Sequence, residues 1–93
     1  MTMEVKHTNQ FKKDFKLAEK RQLKIELLRK IIESLAMGEK LPEKCRDHAL
    51  ISNWSGHRVC HIQPDWLLIY SIEVSTKTLI LTRTGTHSDL FDS

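Results

Sequence analysis

The hydrophobic residues of this chain change their spacing once, near its middle, and that change restricts the fold more than any other feature of the sequence. In the first half apolar side chains return every three or four residues: Phe11, Phe15 and Ala18, then Leu27, Leu28, Ile31, Ile32 and Leu35. This spacing lines one side of a helix. In the second half three short runs, residues 57–62, 66–72 and 78–83, are rich in β-branched and aromatic residues. Runs of this length and content form strands. A chain that carries both patterns buries its apolar surface by laying helices on a sheet.

The local signals sharpen this plan. Residues 3–7 read as a short strand, and Thr8 or Asn9 can cap the first helix by accepting a hydrogen bond from its first turn. A second helix is expected over 22–37, with Gly38 beyond it suited to a left-handed cap. Segments 63–65 and 73–77 are short enough to join adjacent strands as antiparallel hairpins, and the middle strand, apolar on both faces, belongs at the centre. The expected architecture is α+β in the order β-α-α-β-β-β, a helical hairpin packed on one face of a small, mainly antiparallel sheet. With 93 residues, one core can be built, so residues 1–93 are expected to form a single domain. Residues 39–56 show no period but hold Pro42, Asp47, His48 and Trp54. Loops this long in small domains often carry function.

Several classes are disfavoured by composition. No stretch approaches the roughly 18 apolar residues of a membrane span. The first six residues lack a basic start followed by an apolar segment, so a cytoplasmic protein is expected. Cys45 and Cys60 do not have the close spacing of a zinc or redox pair and read as idle thiols. Residues 1–46 hold 12 Lys/Arg against 7 Asp/Glu, and residues 47–93 hold 3 against 5. The basic first half suits either a solvated helix surface or contact with a polyanion.

Four of the five histidines, His48, His57, His61 and His87, lie in the other half, together with Asp65 and Arg83. Imidazole both accepts and donates a proton near neutrality, which is what cleavage of a phosphodiester needs at the 2′-hydroxyl and at the leaving oxygen. Arginine would meet charge on the phosphate. Plainer roles stand beside these: His48 as a loop-ordering group, Asp65 as a turn former, Trp66 and Phe91 as core aromatics. Arg83, beside a core stripe, needs an anionic partner in any case. His57 and His61 are spaced like a metal pair, but on a strand they stand about 13 Å apart, too far for one zinc ion.

Three segments, 46–50, 61–70 and 83–91 (RDHAL, HIQPDWLLIY and RTGTHSDLF), resemble the YafQ branch of the RelE toxin superfamily. The resemblance covers about 85 residues and implies a ribosome-dependent mRNA endonuclease, a toxin of a type II toxin-antitoxin system held inactive by a cognate antitoxin. It implies no cofactor and no metal. It makes His48, His61, Asp65 and His87 the acid/base set, with His87 favoured as acid and Asp65 or His48 as base. It also makes Arg83 the phosphate clamp and Trp66 and Phe91 contacts to mRNA. Lys12, Lys13, Lys16, Lys20 and Lys24 become candidates for docking on ribosomal RNA. The chain departs from the family in Ala49, Ser52 and Val59. These departures leave an alternative, a non-catalytic member that binds its antitoxin and acts on operator DNA only as the toxin-antitoxin complex.

Overall fold

A computed structural model of the protein describes residues 2–91. Strand β1 (Glu4–His7) leads into helix α1 (Asn9–Lys20), and Thr8 is the cap, its hydroxyl oxygen accepting the Phe11 N–H at 2.9 Å. Helix α2 (Ile25–Ala36) begins three residues later than the apolar pattern suggests. Gln22 lies in the left-handed region at φ 59°, where its N–H and that of Leu23 bond back to Glu19 O and Ala18 O. That geometry closes α1 and prevents Gln22 from opening α2. At the far end of α2 the expected glycine cap forms, with Gly38 at φ 75° and bonds from Gly38 N–H to Leu35 O and Glu39 N–H to Ser34 O.

The sheet has five strands in the order β1-β5-β4-β3-β2, made by β2 (His48–Ala49), β3 (Arg58–Gln63), β4 (Trp66–Glu73) and β5 (Thr78–Gly85) with β1. All pairs are antiparallel except β1 with β5. The three long strands and β1 fall where the sequence places them, and β4 is central. Two elements were not foreseen: β2, only two residues long, and a short helix α3 (His87–Phe91).

Along β4 alternate side chains divide the core in two. Trp66, Leu68 and Tyr70 face the helical hairpin, packing with Phe11, Ala18, Leu28 and Leu35. Leu67 and Ile69 join Val59 and Leu90 of α3 in a second cluster, with Leu50 and Trp54 packed against it. The helical hairpin covers one face, as expected, and the other face has a cover of its own. A strand apolar on both faces needs cover on both, and α3 with the loop around residues 50–54 supplies it.

Strand β1 pairs with β5 only as far as His7 and Leu81. Beyond that point β5 would present an unpaired edge, and α1 closes it. The Thr8 hydroxyl donates to Thr82 O at 2.7 Å, and one Asp14 oxygen accepts the Thr84 N–H at 3.2 Å. Asp14, buried on the apolar side of α1, also receives the Arg83 fork, Nε and Nη2 each at 3.0 Å, and Gln10 Nε2 at 3.0 Å. A planar guanidinium meeting a carboxylate at two points is the strong form of this bond.

Removal of this carboxylate leaves a buried N–H and a part-buried arginine without their partner. Asp14→Ala is expected to lose about 2–3 kcal/mol and on the order of 10 °C in thermal midpoint. Calorimetry or thermal circular dichroism checks this, and an unchanged midpoint would remove Asp14 from any structural role.

Candidate active site

Because β2 spans two residues and pairs only with Val59 and Arg58, the outer edge of β3 is open from Cys60 onward. An open cleft of ≈ 540 Å³ lies there, lined by Lys44, Arg46, His61, Gln63, Pro64 and His87 among others. His61 stands opposite Leu67, which assigns it to the sheet face away from the helical hairpin. His87 reaches the same cleft as the first residue of α3.

The start of α3 is fixed by a reciprocal cap. Thr86 Oγ1 accepts the Asp89 N–H at 3.0 Å, and Asp89 Oδ2 accepts the Thr86 N–H at 3.0 Å. Asp89 also receives Nη1 of Arg21, the residue that caps the end of α1, at 2.7 Å. Arg21 first, and the Thr86 N–H second, hold the Asp89 carboxyl down at about 2. Asp65, in the β3–β4 turn, accepts both the backbone N–H of His87 at 3.0 Å and its ring Nδ1 at 2.6 Å. The backbone bond, then the ring bond, lower the Asp65 pKa, so this group stays ionised and acts as an acceptor.

The ring centroids of His61 and His87 are 5.5 Å apart at 49°. His48 lies on β2 opposite Val59, two residues from His61 along β3 and hence on the same face. Its Nδ1 is 2.8 Å from Arg46 O, and since a carbonyl only accepts, Nδ1 carries the proton and Nε2 is the free acceptor. Just before it, Asp47 accepts the Tyr70 hydroxyl at 2.7 Å and Arg58 Nε at 3.1 Å, which anchors the loop on β4 and β3.

The structure thus brings His61, Asp65 and His87 together, with His48 one strand away on the same face. Two expectations are corrected. Arg83 is not a free phosphate clamp, because the anion it meets is Asp14; only Nη1 is left over, with a 3.5 Å contact to Asp89 O. Trp66 has no surface for stacking on RNA, being 2% exposed in the helix-side core with Nε1 bonded to Thr84 Oγ1 at 2.9 Å. Phe91, 43% exposed at the end of α3, remains accessible. Lys12, Lys13, Lys16, Lys20 and Lys24 are all exposed, and the four on α1 fall within about 100° of its circumference. His57 sits edge-on against Trp54 at 5.5 Å. Cys45 and Cys60 are free and buried, and burial pushes both thiols up. Among the described residues no three His, Cys, Asp or Glu side chains converge as a metal set.

Three contributors escaped sequence reading. Asp14 was visible as an acid on the apolar stripe between Phe11 and Ala18. The α3 cap was visible as Thr86-x-x-Asp89. Arg46 and Lys44, as lining of the cleft, had no distinguishing signal.

A small mixed sheet with a helical hairpin on one face and a histidine-lined cleft on the other makes this an α+β domain with a polar site at its sheet edge. Residues 3–92 match the family described as the bacterial toxin of type II toxin-antitoxin systems, YafQ. The chain is 40% identical over 89 residues to the mRNA interferase toxin YafQ of Escherichia coli strain B, covering 95% of each. It superposes on the E. coli DinJ-YafQ toxin-antitoxin complex with a TM-score of 0.87 at 37% identity, covering 98% of this chain and 99% of that one. A metal-bound toxin from Helicobacter pylori gives a TM-score of 0.90 at 37% identity, with 96% and 99% covered. The chain belongs to the YafQ family of bacterial toxins.

The depressed carboxyl of Asp89 sets an acid limit. A group whose folded pKa lies below its ordinary value stabilises the fold above that ordinary value and loses the contribution as pH falls through the folded one. The window here runs from 3.8 down to about 2. Asp89→Asn is expected to show a shallower loss of stability across that window in urea titrations, and an identical slope would refute the assignment.

Proposed function

We propose that this chain is an mRNA interferase that cuts translated mRNA at the ribosome by acid/base chemistry without a metal, acts in the cytoplasm, and is restrained by a cognate antitoxin. The observation that carries this reading is the Asp65–His87 pair, with its 2.6 Å contact, set 5.5 Å from His61 in an open cleft. Its relatives support the class: one is named an mRNA interferase toxin, and another is solved with its antitoxin DinJ.

The roles follow from which ring nitrogen is held. His48 gives Nδ1–H to a backbone carbonyl, so its Nε2 is free to take the 2′-hydroxyl proton. The 2′-oxygen then forms a bond to phosphorus as the bond to the 5′-oxygen breaks. His87 has Nδ1 held by ionised Asp65, which leaves Nε2–H to protonate the departing 5′-oxygen. Asp65 orients that ring, and with its pKa lowered it is the poorer choice for base. His61 contributes a further ring beside His87, within reach of the phosphate. Phe91 braces the RNA at the rim. Arg83 acts on the site by tying β5 to α1. Lys12, Lys13, Lys16, Lys20 and Lys24 supply charge that docks on ribosomal RNA without reading sequence.

His87→Ala is expected to lower cleavage of translated mRNA about 10²–10⁴-fold, the usual value of one positioned acid, while antitoxin capture is retained. Primer extension in a reconstituted translation mix reads the first and pull-down the second. New 5′ ends at the normal rate would end the catalytic reading. Reversing the charge of three or more of the α1 lysines is expected to weaken ribosome co-sedimentation, with a smaller salt dependence than the parent chain and an unchanged melting curve. Equal co-sedimentation at moderate salt would exclude this surface.

A further inference from the structure

Beside the histidine cleft is a second one of ≈ 320 Å³, lined by Lys40, Pro42, Glu43, Arg46, Asp47 and Arg58 among others. Arg46 lines both. Two residues before His48, it continues the β2 register out to the level of His61, and there the backbone turns sharply, with φ at 48°. Its carbonyl holds His48. Its side chain is exposed, and among the described residues no hydrogen bond or ion pair engages the guanidinium.

The charges on the two clefts are unequal in an informative way. The lining of the first contains Lys44 and Arg46, and the carboxylate beside it, Asp65, is already taken by His87. In the second, Asp47 is already taken by Arg58 and Tyr70, so Lys40 and Arg46 face Glu43 alone. Both hollows are thus net cationic and open, and they meet at one unpaired guanidinium. A compact ligand needs one such hollow; a chain of phosphates needs consecutive ones.

We infer that Arg46, rather than Arg83, holds the phosphate being cut, and that the second cleft takes the neighbouring phosphate of the same RNA strand, with Lys40 as its counter-charge. The strand runs from His61 and His87 across Arg46 toward Lys40. Guanidinium forks match phosphate oxygens, which suits Arg46 for the shared position, and a lysine point charge is enough at the flank. The inference rests on the cleft being an RNA site, as proposed above. It adds the direction of the strand and the cation at its reacting centre.

The test reads binding, so it is separable from cleavage. A fluorescent single-stranded RNA carrying 2′-O-methyl groups, which cannot be cut through the 2′-oxygen, is titrated by anisotropy over a range of salt. Arg46→Gln is expected to weaken binding about tenfold and to reduce the salt slope by about 0.7, the value of one single-strand phosphate. Lys40→Gln is expected to reduce the slope by a similar amount, and Arg46→Lys to restore most of it. Melting curves equal to that of the parent chain show that each variant is folded. Parent-like affinity in Arg46→Gln overturns the inference. So does a loss confined to Arg46→Gln with Lys40→Gln unaffected, because the second cleft is then unused. Variants that bind RNA normally but fail to capture the antitoxin would give the groove to the protein partner and overturn it as well. A chain that binds RNA through both residues yet leaves translated mRNA intact sinks the proposed activity and keeps the groove.

Discussion

The site depends on one carboxylate in the first helix. Strand β5 carries the end of the sheet that leads to His87, yet β1 stops pairing with it at Leu81. An unpaired strand end invites fraying or pairing with another chain. Asp14 takes the role of the missing strand, accepting the Thr84 N–H and clamping Arg83 beside it. Thr84 is then held from both sides, because its hydroxyl accepts Trp66 Nε1 and donates to Leu67 O. A polar group buried in this way is costly unless every donor finds an acceptor, and here the partners come from three separate elements, α1, β4 and β5.

From that anchor a short chain of polar contacts reaches the groups proposed to react. Arg21, near the end of α1, holds Asp89; Asp89 caps α3; and the cap sets the backbone on which Asp65 finds both the N–H and the ring of His87. Each step constrains the next because it joins a different element. A five-residue helix is too short to persist on its own propensity, so its orientation has to come from such contacts. On the other side of the cleft, Asp47 performs the same service for the loop that presents His48, with Tyr70 and Arg58 as its fixed points. His87 and His48 are therefore each governed by an aspartate-centred knot, one acting directly and one through the backbone.

The parts of the fold that were legible in the sequence are those whose signal repeats. The apolar stripe of α2 and the runs of β3, β4 and β5 each offer several residues that agree on one period. β2 and α3 offer none, since two residues cannot display a period and five cover little more than one helical turn. Yet α3 carried its own start signal in Thr86 and Asp89, and attention to side-chain chemistry rather than period would have found it. The histidines and Asp65 were legible through chemistry and resemblance. The positions of Trp66 and Arg83 were not, because both residue types serve equally in cores and at RNA surfaces. What decided between those roles was a buried partner for each: Thr84 for the indole and Asp14 for the guanidinium.

That distinction also bears on which cation meets the phosphate. An arginine already forked onto a buried carboxylate can serve a substrate only by giving up two good hydrogen bonds and uncovering Asp14. An arginine with free donors beside the histidine rings faces no such cost. Arg46 bears a cost of another kind, since a residue with a β-carbon at positive φ is strained by about 1 kcal/mol where glycine would not be. Among the described residues no hydrogen bond or ion pair of its side chain offsets that strain. The carbonyl that orients His48 needs the turn but not the guanidinium, as glycine would present the same carbonyl. With its donors unengaged and its place in the cleft lined by His61 and His87, this guanidinium is the cation that the proposed phosphate site calls for.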